Sequence, residues 1–232
     1  MLLKDRVRLI CLDFWETIVD FVDKSDLVKL RNERVKRIAD ILSLDVTLVS
    51  ERYDRVIKEM CDIREKTCRE FTVDEFIDNL LFSLEVERNY LEEVKSIFVE
   101  TVKKYIPGPV KGVREFLDYL KDKGYLLAIV SNTINGKLER ELLKEYELFD
   151  YFDFVVFSSE VKVRKPSRDI FYLVLSRLGI PNYVAIHIGD DPVSDVFGAL
   201  NAGMWAGHYS KELTLPHAHF TFNNWEKLRE FL

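Results

Sequence analysis

Four apolar runs in this chain end in residues that can handle an anion. Asp13 follows the run Val7–Leu12, with Thr17 four residues on, and Ser131 and Asn132 follow Tyr125–Val130. Lys165 stands past the run Phe152–Phe157, just ahead of Pro166, and Gly189, Asp190, Asp191 and then Asp195 follow Tyr183–Ile188. One apolar run ending in a polar residue is unremarkable. Four that deliver an Asp, a Ser-Asn, a Lys and an Asp cluster make a carboxylate–hydroxyl–ammonium site, the set of groups from which electrostatic catalysis is built.

Such residues meet only if the runs are strands lying side by side. Each run is short and nearly continuous in apolar residues, as a parallel strand buried on both faces must be. Helices are expected between them: Val113–Lys123 ending at Gly124, one around Leu138–Glu145, Asp169–Leu178 stopping at Gly179-Ile-Pro181, and Ser194–Ala202. Alternating strands and helices imply right-handed crossovers and a parallel sheet covered on both faces, with ligands at the carboxyl ends of the strands. The remainder, to Leu232, is expected to add one or two short strands and a terminal helix. Between the first strand and Pro107-Gly-Pro109 the rhythm differs. From about Lys24 to Tyr105 the stretch is charged and helical, with Leu27, Leu30, Arg34, Ile38 and Leu42 at three- and four-residue steps. Thr47 is expected to cap a second helix near Leu48–Arg69, Thr72 and Glu75 have the capping-box spacing for a third, and Asn89 is expected to cap a fourth.

Composition bounds the rest. The chain has 232 residues, 47% hydrophobic, and 34 Lys+Arg against 40 Asp+Glu give a net charge of −6. That length suits one large domain, or one domain carrying an insertion. The acidic balance argues against a dedicated nucleic-acid binder, and the apolar content excludes disorder. No apolar run approaches the roughly 20 residues of a membrane span. Met1–Arg8 has no apolar signal-peptide core, and Cys11, Cys61 and Cys68 form neither a CxxC pair nor a disulfide framework. The expectation is a cytoplasmic protein with reduced thiols, Cys61 and Cys68 buried on one helix face. Glutamine is absent, a bias reported for proteins of hot environments.

In order and position these segments resemble the haloacid dehalogenase superfamily. The first motif, Asp-x-Asp-x-Thr, corresponds to Asp13-Phe-Trp-Glu-Thr17, the second to Ser131-Asn132, the third to Lys165 within Val163–Pro166, and the fourth to Gly189–Asp195, running on into Gly198-Ala and Ala202-Gly203. The resemblance covers the whole chain. It implies an α/β fold: a Rossmann-like doubly wound parallel sheet from residues 1–21 and 107–232, with a helical cap at 22–106. It further implies a Mg²⁺-dependent phosphatase-like hydrolase of a small phosphorylated metabolite. Asp13 would be the nucleophile, forming an aspartyl-phosphate. Asp13, the Trp15 carbonyl, Asp190 and Asp195 would hold Mg²⁺. Ser131 and Lys165 would serve catalysis on the phosphoryl oxygens, and Thr17 and Asn132 would contact substrate.

Trp15 departs from the pattern. The family's phosphatases carry there an Asp that protonates the leaving alcohol, a function typically worth ~10²–10⁴-fold. Glu16 also replaces a customary Gly, and adjacent side chains point apart, so it is a poor substitute for the lost acid. The departure admits an enzyme restricted to aryl or acyl phosphates, a slowly discharging aspartyl-phosphate, or a non-catalytic Mg²⁺ and phosphate binder. It also admits a 2-haloacid dehalogenase, because a departing halide needs no proton. The carboxylates favour the phosphatase, since they suit a cation and repel a metal-free carboxylate substrate. In the cap, Arg31, Arg34, Arg37, Arg64 and Arg69 are candidates for a second anionic group, each more simply a solvated helix residue. Phe14, Trp15 and Phe21 line the entrance or belong to the core. Asp191 reads as a loop carboxylate and His187 as a satisfied core histidine. His208, His217 and His219 lack acidic partners at metal-ligand spacing. The oligomeric state is not legible.

Overall fold

The structure, a computed structural model, describes residues 6–21, 23, 25–105, 107–210, 217–229 and 231–232. Met1–Asp5, Val22, Lys24 and Ile106, on which some of the sequence expectations fall, lie outside the described residues. The chain divides into two compact units, Met1–Asp20 with Pro109–Leu232, and Phe21–Gly108.

The first unit is a six-stranded parallel sheet. Its strands are β1 (Leu9–Leu12), β2 (Leu126–Ser131), β3 (Phe154–Phe157), β4 (Ala185–Gly189), β5 (Trp205–Tyr209) and β6 (Phe220–Phe222), in the order β3-β2-β1-β4-β5-β6. That order reverses between β1 and β4, the switch point of a doubly wound sheet, where a crevice opens beyond the strand ends. The register fixes the crevice: Leu12 pairs with Ile129 on one side and Ile188 on the other, and Ser131 pairs with Phe157. β1 is buried along its length, as a central strand covered on both faces must be. On one face Leu9 and Cys11 pack with Ala128, Val130, Ile170, Phe171 and Val174 into a continuous core.

Four helices of the second unit come first in the chain: α1 (Ser25–Leu42), α2 (Val46–Thr67), α3 (Val73–Ser83) and α4 (Leu91–Tyr105). Those of the α/β unit follow: α5 (Val113–Asp122), α6 (Gly136–Glu145), α7 (Ser158–Val161), α8 (Arg168–Leu178), α9 (Gly198–Asn201) and α10 (Trp225–Leu228). Ahead of α9 lies a π-helical turn, Pro192–Phe197, so the helix expected at Ser194–Ala202 is broken in two. The strand expected from Tyr183 starts later, because Asn182–Val184 form a 3₁₀ turn. Gly124 (φ 79°) and Gly179 (φ 65°) take left-handed conformations just past α5 and at the end of α8.

In the helical unit Tyr53, Phe76 and Phe98 meet with ring centroids 5.1–6.4 Å apart, joining α2, α3 and α4. α1 buries Leu30, Val35, Ile38 and Ala39, whereas Leu27 is exposed. The capping box at Thr72 and Glu75 is present. Thr47 does not cap α2. Asp45 does, accepting from the Thr47 and Leu48 amides at 2.9 and 3.1 Å, because the carboxylate two residues earlier reaches the free amides of the first turn. Asn89 does not cap α4 but sits inside a 3₁₀ turn, Arg88–Tyr90, that leads into it. Cys61 and Cys68 are half-buried, not buried, and Cys68 is the left-handed residue that ends α2, off the helix face expected for it. All five candidate arginines are engaged within this unit: Arg31 with Asp54, Arg37 with Glu100, Arg64 with Glu70, Arg69 with Glu75, and Arg34 with Thr101 Oγ1 and the Phe98 carbonyl.

The α/β unit closes its own seam at the insertion. The Val110 amide donates to the Ile18 carbonyl at 2.9 Å, so the chain leaves and re-enters this unit at adjoining points.

Candidate active site

β1 hands its ladder on to Asp13, whose amide donates to the Ile188 carbonyl of β4 at 2.9 Å. This sets the Asp13 side chain at the switch point. Beyond it the chain turns back sharply: the Ile18 and Val19 amides both donate to the Phe14 carbonyl, and Glu16 takes a left-handed φ of 55°. The turn buries Thr17, whose hydroxyl donates to Asp190 Oδ1 at 3.3 Å.

Lys165 is 2% exposed, and its Nζ lies 2.6 Å from Asp13 Oδ1 and 2.6 Å from Asp195 Oδ1. Its backbone is clamped by Asn132: the Lys165 amide donates to Asn132 Oδ1 at 2.9 Å, and Asn132 Nδ2 donates to the Lys165 carbonyl at 3.0 Å. Thr17 and Asn132, read from sequence as substrate contacts, each hydrogen-bond protein groups of the site. They orient a carboxylate and the lysine.

Asp195 is 1% exposed and accepts from three protein donors. Oδ1 takes the Lys165 ammonium and lies 2.8 Å from His187 Nε2, and Oδ2 takes the Asp191 amide at 3.0 Å. His187 is the buried, hydrogen-bonded core histidine expected, and the partner that satisfies it is a carboxylate of the site. Asp191 caps the turn that follows, accepting from the Val193 and Ser194 amides. Gly189 allows this packing, because a Cβ there would lie 2.2 Å from Asp195 Cγ. His208 Nε2 lies 3.0 Å from the Asp190 carbonyl, and His219 Nδ1 accepts from the Ala206 amide.

The charges are unbalanced. Asp13, Asp190 and Asp195 place one oxygen each within 4.8 Å of one another, against one ammonium. Burial pushes the Asp13 carboxyl well above its ordinary value; Lys165 pulls it down, and Asp195 and Asp190 push it further up. Burial, the Asp195 charge and Glu16 raise Asp190 to about 7. Burial acts to raise Asp195 too, yet Lys165 and His187 bring it below the usual carboxylate range. For Lys165, burial opposes protonation, but the two aspartates override it and raise its pKa. Three hard oxygen donors in excess of their counter-charge fit a hard divalent cation such as Mg²⁺.

Trp15, half-buried, does not offer its indole to this cluster. Its Nε1–H donates to Glu139 Oε1 on α6 at 2.6 Å, with Phe14 packed edge-on at 4.9 Å. Phe14 is itself fully buried, as a core residue. Glu139 is 1% exposed, and burial pushes its carboxyl up to about 8, with Thr133, Trp15 and Ser131 pulling the other way. Ser131 Oγ and Glu139 Oε2 are both buried without a hydrogen-bond partner among the described residues. Sequence reasoning missed Glu139. Its signal was an acid on the apolar face of a helix, beside Leu138, Leu142 and Leu143.

Residues 41–206 match the family model of haloacid dehalogenase-like hydrolases, well over half of the chain. The chain belongs to this family. The matched range starts after the Asp13 turn, the segment that holds Trp15 and Glu16. A glyceraldehyde 3-phosphate phosphatase of Methanothermobacter thermautotrophicus is 34% identical over 55% of this chain and 56% of its own. The matched stretches span 38–56% of the lengths of the first three curated relatives. Among solved structures, a phosphatase of the family from Thermococcus onnurineus superposes with a TM-score of 0.70 at 23% identity, covering 97% of both chains. A 2-haloacid dehalogenase from Pseudomonas syringae gives the same TM-score, 0.70, at 20% identity, also over 97% of both chains. The fold is thus common to both chemistries and does not choose between them. Among the described residues no helix is long and apolar enough to cross a membrane.

Proposed function

We propose that this chain is a Mg²⁺-dependent hydrolase of a small phosphorylated compound, acting through an aspartyl-phosphate on Asp13. The observation that carries the reading is the ammonium of Lys165 shared by Asp13 and Asp195, with Asp190 completing a cluster of oxygens. Asp13 and Asp190, with the Trp15 carbonyl and with Asp195 directly or as an anchored neighbour, would hold Mg²⁺, which supplies charge neutralisation at the phosphoryl group.

The chain's own residues then act in order. Lys165 draws Asp13 toward its ionised form, against burial and the neighbouring aspartates, and donates to phosphoryl oxygen, and the Ser131 hydroxyl is a further donor. A carboxylate oxygen of Asp13 bonds to phosphorus as the bond to the leaving oxygen breaks. Water next attacks phosphorus, releasing inorganic phosphate and restoring the Asp13 carboxylate. This divides one difficult displacement into two. No acid stands two residues after Asp13, so the leaving group must be stable as an anion, as in aryl and acyl phosphates. The segment 22–106 is read as a cap that selects substrate, and the named phosphatase relatives support a small phosphorylated substrate.

Phosphate release from an aryl phosphate and from alkyl phosphates, and halide release from a 2-haloacid, test the reading when run with Mg²⁺ and with EDTA. Expected is Mg²⁺-dependent phosphate release, faster from the aryl ester and absent in Asp13→Asn. Halide release that is indifferent to EDTA would assign the dehalogenase chemistry instead.

A further inference from the structure

A buried carboxylate stabilises nothing by itself, because its desolvation outweighs what a few neutral hydrogen-bond donors return. Glu139 is such a group. It lies on the face of α6 that packs Leu138, Leu142 and Leu143, at 1% exposure, with Oε2 unpartnered and Oε1 accepting the Trp15 indole from 124 residues away. Trp15 lies two residues after Asp13, and its ring is backed edge-on by Phe14, which packs edge-on in turn against Phe157 of β3 at 6.5 Å. The hydrogen bond and the Phe14 contact hold the indole toward α6. Ser131 Oγ, the hydroxyl read as a phosphoryl donor, is buried beside the same carboxyl with no hydrogen-bond partner of its own.

We infer that Glu139 is a positioning residue of the active site, latching the Trp15 indole to α6 so that a fixed aromatic wall stands beside Asp13 and favours substrates with a flat, aromatic leaving group. The assignment rests on the phosphatase reading for its effect on turnover, but the latch itself does not. A free tryptophan at this position would be a mobile obstruction. A pinned one is a preorganised surface, and its contribution falls on substrate binding more than on bond breaking.

Glu139→Leu suits the apolar helix face and removes the acceptor, and Glu139→Gln keeps an acceptor oxygen without the charge. The Trp15 indole N–H resonance, assigned by its loss in Trp15→Phe, reads the latch without any turnover. Steady-state kinetics on an aryl and an alkyl phosphate with Mg²⁺ read its effect. In Glu139→Leu the indole resonance is expected to shift and its amide-like proton to exchange faster, while KM for the aryl ester rises about tenfold and kcat stays within twofold. The alkyl ester should change little, and Glu139→Gln should stay near wild type in both readouts. An unshifted resonance in Glu139→Leu would overturn the latch. A fall in kcat at constant KM would overturn the positioning role and place Glu139 in the chemical step. If the wild type releases no phosphate, the phosphatase reading falls, and the resonance alone decides the latch.

Discussion

Replacing Lys165 by methionine should unbalance the site while leaving its volume nearly filled. The ammonium donates to two carboxylates, Asp13 and Asp195, at 2.6 Å each, and all three side chains are buried. Hydrogen bonds to charged groups contribute roughly 1.5–3 kcal/mol each, so two amount to about 3–6 kcal/mol. Removing one partner of a buried ion pair costs about 3–5 kcal/mol by a separate route, the uncompensated charge left behind. The two ranges agree on about 3–5 kcal/mol. For a chain of this size each kcal/mol moves the melting temperature by about 2–4 °C, which gives a drop of about 6–20 °C. Thermal unfolding followed by circular dichroism in EDTA measures it, with Lys137→Met, an exposed lysine of α6, as the neutral control. Lys165→Met melting within 2 °C of wild type would refute the reasoning, because the ammonium would then not be what balances the two aspartates.

Two further substitutions probe the supports. Gly189→Ala puts a Cβ 2.2 Å from Asp195 Cγ, and overpacking of that kind costs about 1–3 kcal/mol. Chemical denaturation should show the loss, and Mg²⁺ should stabilise the variant less than wild type; an unchanged midpoint would mean that Asp195 moves freely. Asp45→Ala removes the acceptor for two amides at the start of α2 and should lower stability by about 1 kcal/mol with phosphate release retained. A melt identical to wild type would show that water caps that helix as well as the carboxylate does.

The residues that the sequence exposed most clearly are those that end strands. Asp13, Ser131 and Asp190 stand where apolar runs stop, and a parallel sheet has to gather its strand ends; Lys165, set beyond α7, was legible through its motif. Asp195 was legible through its motif, but not its three donors, because those depend on how the turn after β4 folds back over the strand and on where the Lys165 loop comes to lie. The strand order was invisible for the same reason: it is set by crossovers, whose destination no local pattern records. His187 looked like core because an imidazole in an apolar strand usually is. Its role emerges only with Asp195 folded back over Gly189, an approach that requires the missing Cβ. Glu139 was lost among the many acids of a chain with 40 of them. What separated it from the rest was the phase of α6, which turns Glu139 inward and leaves Glu141 half-buried. The cap of α2 was misplaced by two residues, since Asp45 and Thr47 are both good caps and the backbone decides between them.

The hydrogen bond between Ile18 and Val110 bears on how this architecture could change over time. An excursion of roughly 90 residues begins and ends at one spot just beyond the carboxyl end of the central strand β1. Loop closure scales only logarithmically with length, so a six-residue bridge in its place would lighten the entropic load by only about 2 kcal/mol. The strands keep their register whichever segment is plugged in. The junction is a socket, and lineages could exchange whole helical modules there while the carboxylates and the lysine stay where the sheet put them.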